Sequence, residues 1–187
     1  MGRPAEAQVQ IQQAKQLDPL SEFVQAFHAV TLFAARRFDD AGAELRSVLK
    51  TNPNSPMALT GLPEALHYAG RYDEAFEMER VRWRVRGDRE IADALDRGRA
   101  EAGYPGAMLR AAELLAARAK TRKMLSVAVA KLYGRAGQHE DQELEWLETA
   151  MDVHDPNVPY VGILPNFDHL HAQPRFRRLL ERLKLPS

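Results

Sequence analysis

Four residues near the C-terminus have the side chains for metal chemistry: His154, Asp168, His169 and His171. Three imidazoles beside a carboxylate are a zinc-type ligand set. His169 and His171, however, are two residues apart, so on a helix or turn they point in different directions. No second ligand pair at a regular spacing joins them, and no metal site is expected. His139-Glu140-Asp141 sets a base beside two acids, yet it reads as the opening of a helix, where acids complement the dipole. The serines at 21, 47, 55, 126 and 187 lie in no Gly-x-Ser-x-Gly elbow. No phosphate loop is present, and Gly134 and Gly137 merely flank a turn. These patterns predict no catalytic residue, no cofactor and no enzymatic activity.

A second chemistry is binding by charge. Arg80, Arg82, Arg84, Arg86 and Arg89 surround Trp83, and basic residues beside an aromatic can hold phosphates and stack bases. A helix would spread these arginines over several faces near Glu77, Glu79 and Asp88, which predicts a solvated, ion-paired surface. Arg175, Arg177, Arg178 and Arg182 read the same way. The whole chain carries 26 basic and 26 acidic residues, so nucleic acid is not an expected partner.

The elements that position these groups follow from composition and period. At 187 residues, 45% hydrophobic and 28% charged, the chain has the makeup of a folded globular protein. It has no cysteine, which excludes disulfides and thiolate sites. No apolar run approaches the roughly 18 residues of a membrane span, and Met1-Gly2-Arg3-Pro4 lacks a signal-peptide core. A cytoplasmic location without membrane insertion is expected; the alternative is a periplasmic place within a membrane-anchored regulator.

Ala7, Ile11, Ala14 and Pro19 recur 34 residues later as Ala41, Leu45, Val48 and Pro53, and a third copy starts at Ala75. Small and apolar residues at this period signal stacked helix–turn–helix units. The pattern predicts helices up to about Gln16 and over 21–35, 39–50, 56–69 and 72–86. Ser21 is a candidate cap, and the prolines stop one repeat and orient the next. Ala41 and Ala75 mark places where helix axes approach closely. Beyond Gly87 the period blurs. Helix pairs are still expected over Asp88–Ala102 with Pro105–Ala119, and over Lys123–Arg135 with Glu140–Val153; in the last pair the alanine slot falls on Glu143 or Gln142. Phe167, Leu170, Phe176 and Leu180 are expected to form a terminal cap over that pair.

The alanine, aromatic and proline pattern over residues 7–86 resembles the tetratricopeptide repeat (TPR) family. The order Gly103-Tyr104, Trp146-Leu147, Asp155-Pro156 and Pro174-Arg175-Phe176 is similar to the end of TPR arrays in bacterial transcriptional regulators, protein kinases and nucleotide cyclases. Gln173 stands where Asp often precedes Pro-Arg-Phe. The resemblance implies an all-α fold, a right-handed α-α superhelix of about four helix pairs with a short C-terminal capping helix. It implies one domain over 1–187, with regular repeats in 1–86, degenerate pairs in 87–153 and a cap in 154–187. The chain opens on the second helix of a repeat, which predicts a piece of a longer protein or an end covered by a partner chain.

In such a superhelix the first helix of each pair lines the concave face. On that geometry Phe23, Ala26, Val30 and Phe33 lie beside Met57, Thr60, Glu64 and His67, a groove suited to a protein or peptide segment. The alternative places Phe27 and some of this set in the core. Ala26 and Val30 occupy slots where a Lys/Asn carboxylate clamp would need polar donors, so that clamp is not expected. The function implied is a non-catalytic interaction scaffold, the sensory or regulatory module of a larger bacterial signalling or transcription-regulating protein. The alternative is self-assembly through the uncapped N-terminal helix, residues 7–14.

Overall fold

The computed structural model describes residues 4–119 and 126–183. Among these the protein is helical throughout, with consecutive helices packed as pairs and no strand. No helix among them is long and apolar enough to cross a membrane. The expected start of the Lys123–Arg135 helix and the ends of the chain lie outside the described residues. The molecule divides into two compact units, with the boundary between Arg89 and Glu90.

The first unit holds α1 (Pro4–Leu17), α2 (Glu22–Ala34), α3 (Phe38–Thr51), α4 (Pro56–Tyr68) and α5 (Tyr72–Val85), each packed on the next, with α2 also touching α4. The 34-residue period is physical here. Ser21 Oγ accepts from Val24 N at 3.4 Å, and Ser55 Oγ accepts from Ala58 N at 3.2 Å, so the two serines cap α2 and α4 alike. The same helices end alike. Arg36 and Gly70 take positive φ, 60° and 75°, while Arg37 N bonds Leu32 O and Arg71 N bonds Leu66 O, both at 2.9 Å. Ala41 and Ala75 are wholly buried, as close-packed helices require.

The second unit holds α6 (Arg89–Ala119), α7 (Ser126–Ala136), α8 (Glu140–Asp152), two short 3-10 helices (Val158–Tyr160 and Pro165–Leu170) and α9 (Pro174–Arg182). The span α6 is two helices joined at a sharp break, a helical hairpin. Ala102 (φ −146°, ψ 28°) and Gly103 (φ 67°, ψ −154°) break it, and only glycine adopts the latter backbone readily. The two arms cross at Gly98 and Gly106. A Cβ on Gly98 would lie 2.6 Å from the Gly106 carbonyl carbon and 2.8 Å from Ala107 Cα. The pair Glu101–Arg110, at 2.9 Å, and the pair Glu90–Arg118 hold the arms from outside.

The end of the chain is a cap built on α7 and α8. Phe167, Leu170, Phe176 and Leu180 are fully buried in one cluster with Val127, Ala130, Leu144, Leu147 and Ala150. Asp155 ties it down. Its carboxylate accepts from Val127 N at 3.0 Å, in the first turn of α7, and from Asn157 N and Nδ2, each at 2.9 Å. Gln173 makes no capping bond with its side chain and donates instead to Glu140 Oε2 at 2.6 Å.

Candidate functional site

One face of α2 stands out by what it lacks. Phe23 is 61% exposed, Val30 48% and Phe27 39%, and the Phe23 and Phe27 rings lie 4.4 Å apart. Spaced by four and three residues, they share one side of the helix. The opposite side is core: Ala26, Ala29, Leu32 and Phe33 are buried, and Phe33 stacks edge-on against Phe38 and Tyr68 at about 5.5 Å. A helix apolar on both sides is ordinarily covered on both.

The charges of α2 are turned inward. It carries two ionisable residues, Glu22 and His28. Glu22 accepts from Ser55 Oγ at 2.5 Å and from Asn52 Nδ2 at 2.7 Å; these bonds, Ser55 first, hold its carboxyl below the usual range. His28 Nδ1 lies 3.5 Å from Glu44 Oε1, which also binds Lys15 Nζ at 2.6 Å. The exposed face thus presents two rings and a branched aliphatic with no charge among them.

The candidate groove residues divide accordingly. Phe23 and Val30 reach solvent, whereas Ala26 and Phe33 pack into the core. On α4, Met57 and Thr60 are half-buried and Glu64 is buried. Thr60 Oγ1 donates to Pro56 O at 2.7 Å and accepts from Arg86 at 3.3 Å. His67 sits among the rings of Tyr68 and Tyr72. The α4 half holds one apolar residue, the half-buried Met57, beside Thr60, Glu64 and His67, and the exposed apolar residues of the set lie on α2.

The basic stretch around Trp83 differs from the solvated surface expected of it. Glu79 is wholly buried, Arg82 nearly so, and Trp83 with them. Glu79 Oε1 accepts from Arg82 Nη1 at 2.8 Å and from Trp83 Nε1 at 2.9 Å, and the Arg82 guanidinium lies 4.8 Å from the indole centroid. Glu79 takes both bonds within one helical turn while Arg82 Nε is buried without a hydrogen-bond partner, an arrangement that charge counting along the sequence does not reveal. Buried in this way, Trp83 offers no stacking platform. Arg80 does pair at the surface with Glu77, at 2.9 Å, and Arg175 with Glu148, at 2.9 Å, and Asp141, at 3.2 Å.

Among the described residues, no three His, Cys, Asp or Glu side chains converge on one point. His169 Nε2 meets Glu143 Oε2 at 2.8 Å, and His171 lies edge-on to Phe176. Glu143, on α8, is buried, and its other oxygen points at Gly134 of α7. Burial raises the Glu143 pKa; the bond from Glu143 raises that of His169. A depression of about 420 Å³ along α6 contains Arg97, Arg110, Glu101 and Glu113. There Arg110 is already bound to both acids. Sequence reasoning missed the Gly98–Gly106 crossing and the role of Glu143; the glycine eight residues before Gly106 was the available signal for the former.

No family model matches the chain, and no curated protein matches it.

Proposed function

We propose that this protein is a non-catalytic protein–protein interaction scaffold whose docking surface is the uncharged apolar face of α2. The observation that carries the reading is the exposure of Phe23, Phe27 and Val30 on a helix whose ionisable side chains are engaged inside the chain. An apolar stripe at helical spacing suits an amphipathic helix from a partner, which docks through residues at i, i+3 or i+4, and i+7. The fold proposed for it is a right-handed TPR-type superhelix of about four helix pairs. The repeated caps at Ser21 and Ser55 and the buried Ala41 and Ala75 support this. In that setting the module belongs to a larger bacterial signalling or transcription-regulating protein, located in the cytoplasm, and partner binding regulates the output. Self-assembly through residues 7–14 has the weaker basis, because Ile11 and Ala14 are already half-buried within the unit.

Selection of random peptides against the full chain tests the reading. The survivors carry apolar residues at helical spacing and lose binding to a Phe27→Ser chain. Survivors indifferent to α2 contradict it.

A further inference from the structure

Arg86 takes the place that Asn52 holds one repeat earlier, and lacks the carboxylate that Asn52 binds. Asn52 is the C-cap of α3 and Arg86 the C-cap of α5, one 34-residue period apart. Asn52 Nδ2 donates to the carboxylate of Glu22, the first residue of α2, at 2.7 Å. The first residue of α4, one period after Glu22, is Pro56. The donor has become a full cation where the acid has been lost. Arg86 Nη2 instead reaches one turn along α4 and donates to Thr60 Oγ1 at 3.3 Å. Among the described residues no carboxylate pairs with it.

The surroundings deepen that deficit. Arg86 is exposed, and its guanidinium lies 5.4 Å from the Trp83 centroid, with that of Arg82 4.8 Å from the same ring. Two cations share one indole. Glu79, the acid whose charge reaches both, already accepts from Arg82 and Trp83. Burial, and after it Arg82, lower the Arg86 pKa from its ordinary value. A guanidinium so placed gains from an incoming anion, and a carboxylate matches its fork of N–H donors. The position also borders the docking face. Met57 and Thr60 follow Phe23 and Ala26 by one period, on the helix that α2 touches. We infer that Arg86 holds a carboxylate of the docked segment, so that the partner is an amphipathic helix with an acidic residue flanking its apolar stripe. This rests on the reading of α2 as the docking face. Nucleic-acid phosphate is the poorer match, since Trp83 is buried and the chain has no net charge.

Selection of random peptides against the full chain, followed by titration of the survivors into Arg86→Gln and Arg86→Lys chains, tests it. Survivors carry Asp or Glu at a constant offset from their apolar residues. They bind Arg86→Gln about fivefold more weakly, while Arg86→Lys keeps most of the affinity. Changing the peptide acid to its amide has the same effect on the wild-type chain and little on Arg86→Gln. That peptide change, on the wild-type chain alone, gives the reading should Arg86→Gln not fold. Survivors without an acidic preference overturn the inference, as do acidic survivors indifferent to Arg86→Gln. A single-stranded oligonucleotide that binds through Arg86 in their place overturns it too. Survivors that need Phe27 but no acid fail this inference alone, and the docking reading stands. Acidic survivors that need Arg86 but bind a Phe27→Ser chain unchanged fail the docking reading and leave the carboxylate position standing. Survivors that depend on neither residue fail both.

Discussion

Glu143 occupies the room that Gly134 leaves. A Cβ on Gly134 would lie 2.6 Å from Glu143 Oε1 and 3.0 Å from its Cδ, across the α7–α8 contact. The slot that other helix pairs in this chain fill with a small residue, Ala41 or Ala75, here holds a carboxyl, and the facing helix has given up its side chain to admit it. His169 from the cap then bonds the second oxygen.

Gly134→Ala therefore destabilises the protein by about 1–3 kcal/mol, although alanine is the better helix former by about 1 kcal/mol. Glu143→Ala removes the obstruction, so the double variant is more stable than the sum of the two single changes, with a coupling of about 1 kcal/mol or more. Urea denaturation of the four chains measures this. Additive effects would mean that the two residues are not in contact.

The hairpin crossing makes a sharper demand. With backbone on both sides, Gly98→Ala and Gly106→Ala each cost upward of about 2 kcal/mol, since the arms must part to admit a methyl group. At Gly70, where nothing lies within 4 Å of the missing Cβ, alanine costs about 1 kcal/mol through its positive φ alone. Thermal unfolding of the three variants should rank them in that order.

Arg36 stands where Gly70 stands one repeat later, with φ of 60° against 75°. Its side chain donates to the nearby Ala34 carbonyl in an exposed position, at 3.1 Å. Arg36→Gly relieves the left-handed strain and raises stability by about 0.5–1 kcal/mol, read as a higher Tm.

The Glu143–His169 contact sets a pH dependence with a definite sign. His169 has a folded-state pKa raised above 6.5, chiefly by its bond to Glu143, and Glu143 has one raised above 4.5, chiefly by burial. In both cases the folded state holds the proton more tightly than the unfolded chain. The stability from His169 is fully present below pH 6.5 and is lost as pH rises through its folded value. Comparing the melting of the wild-type chain with His169→Gln from about pH 6 to about pH 9 should show the wild-type advantage shrinking upward. A constant or growing advantage would contradict the pairing.

Much of this was legible in the sequence, and the residues show where legibility ended. Local signals carried through: Ser21 caps a helix, Gly103 breaks one, and Ala41 and Ala75 are buried because each depends on neighbours within a turn or a fixed period. The cap apolars Phe167, Leu170, Phe176 and Leu180 were likewise readable from their pattern. Contacts across the chain were not. Nothing near Glu143 in sequence announces His169, 26 residues on, and nothing in an arginine-rich run announces that Arg82 is buried against Glu79. The groove divided for a related reason. Ala26 and Phe33 share a helix with Phe23 and Val30, and only packing decides which side of that helix is covered.

The docking role of α2 is tested most directly by calorimetric titration of one selected amphipathic peptide into three chains: wild type, Phe23→Glu and Val153→Glu. Val153 is a control, an exposed apolar residue at the end of α8. The account predicts a loss of affinity of about tenfold or more for Phe23→Glu and none for Val153→Glu. Equal affinity for the wild-type and Phe23→Glu chains would contradict it.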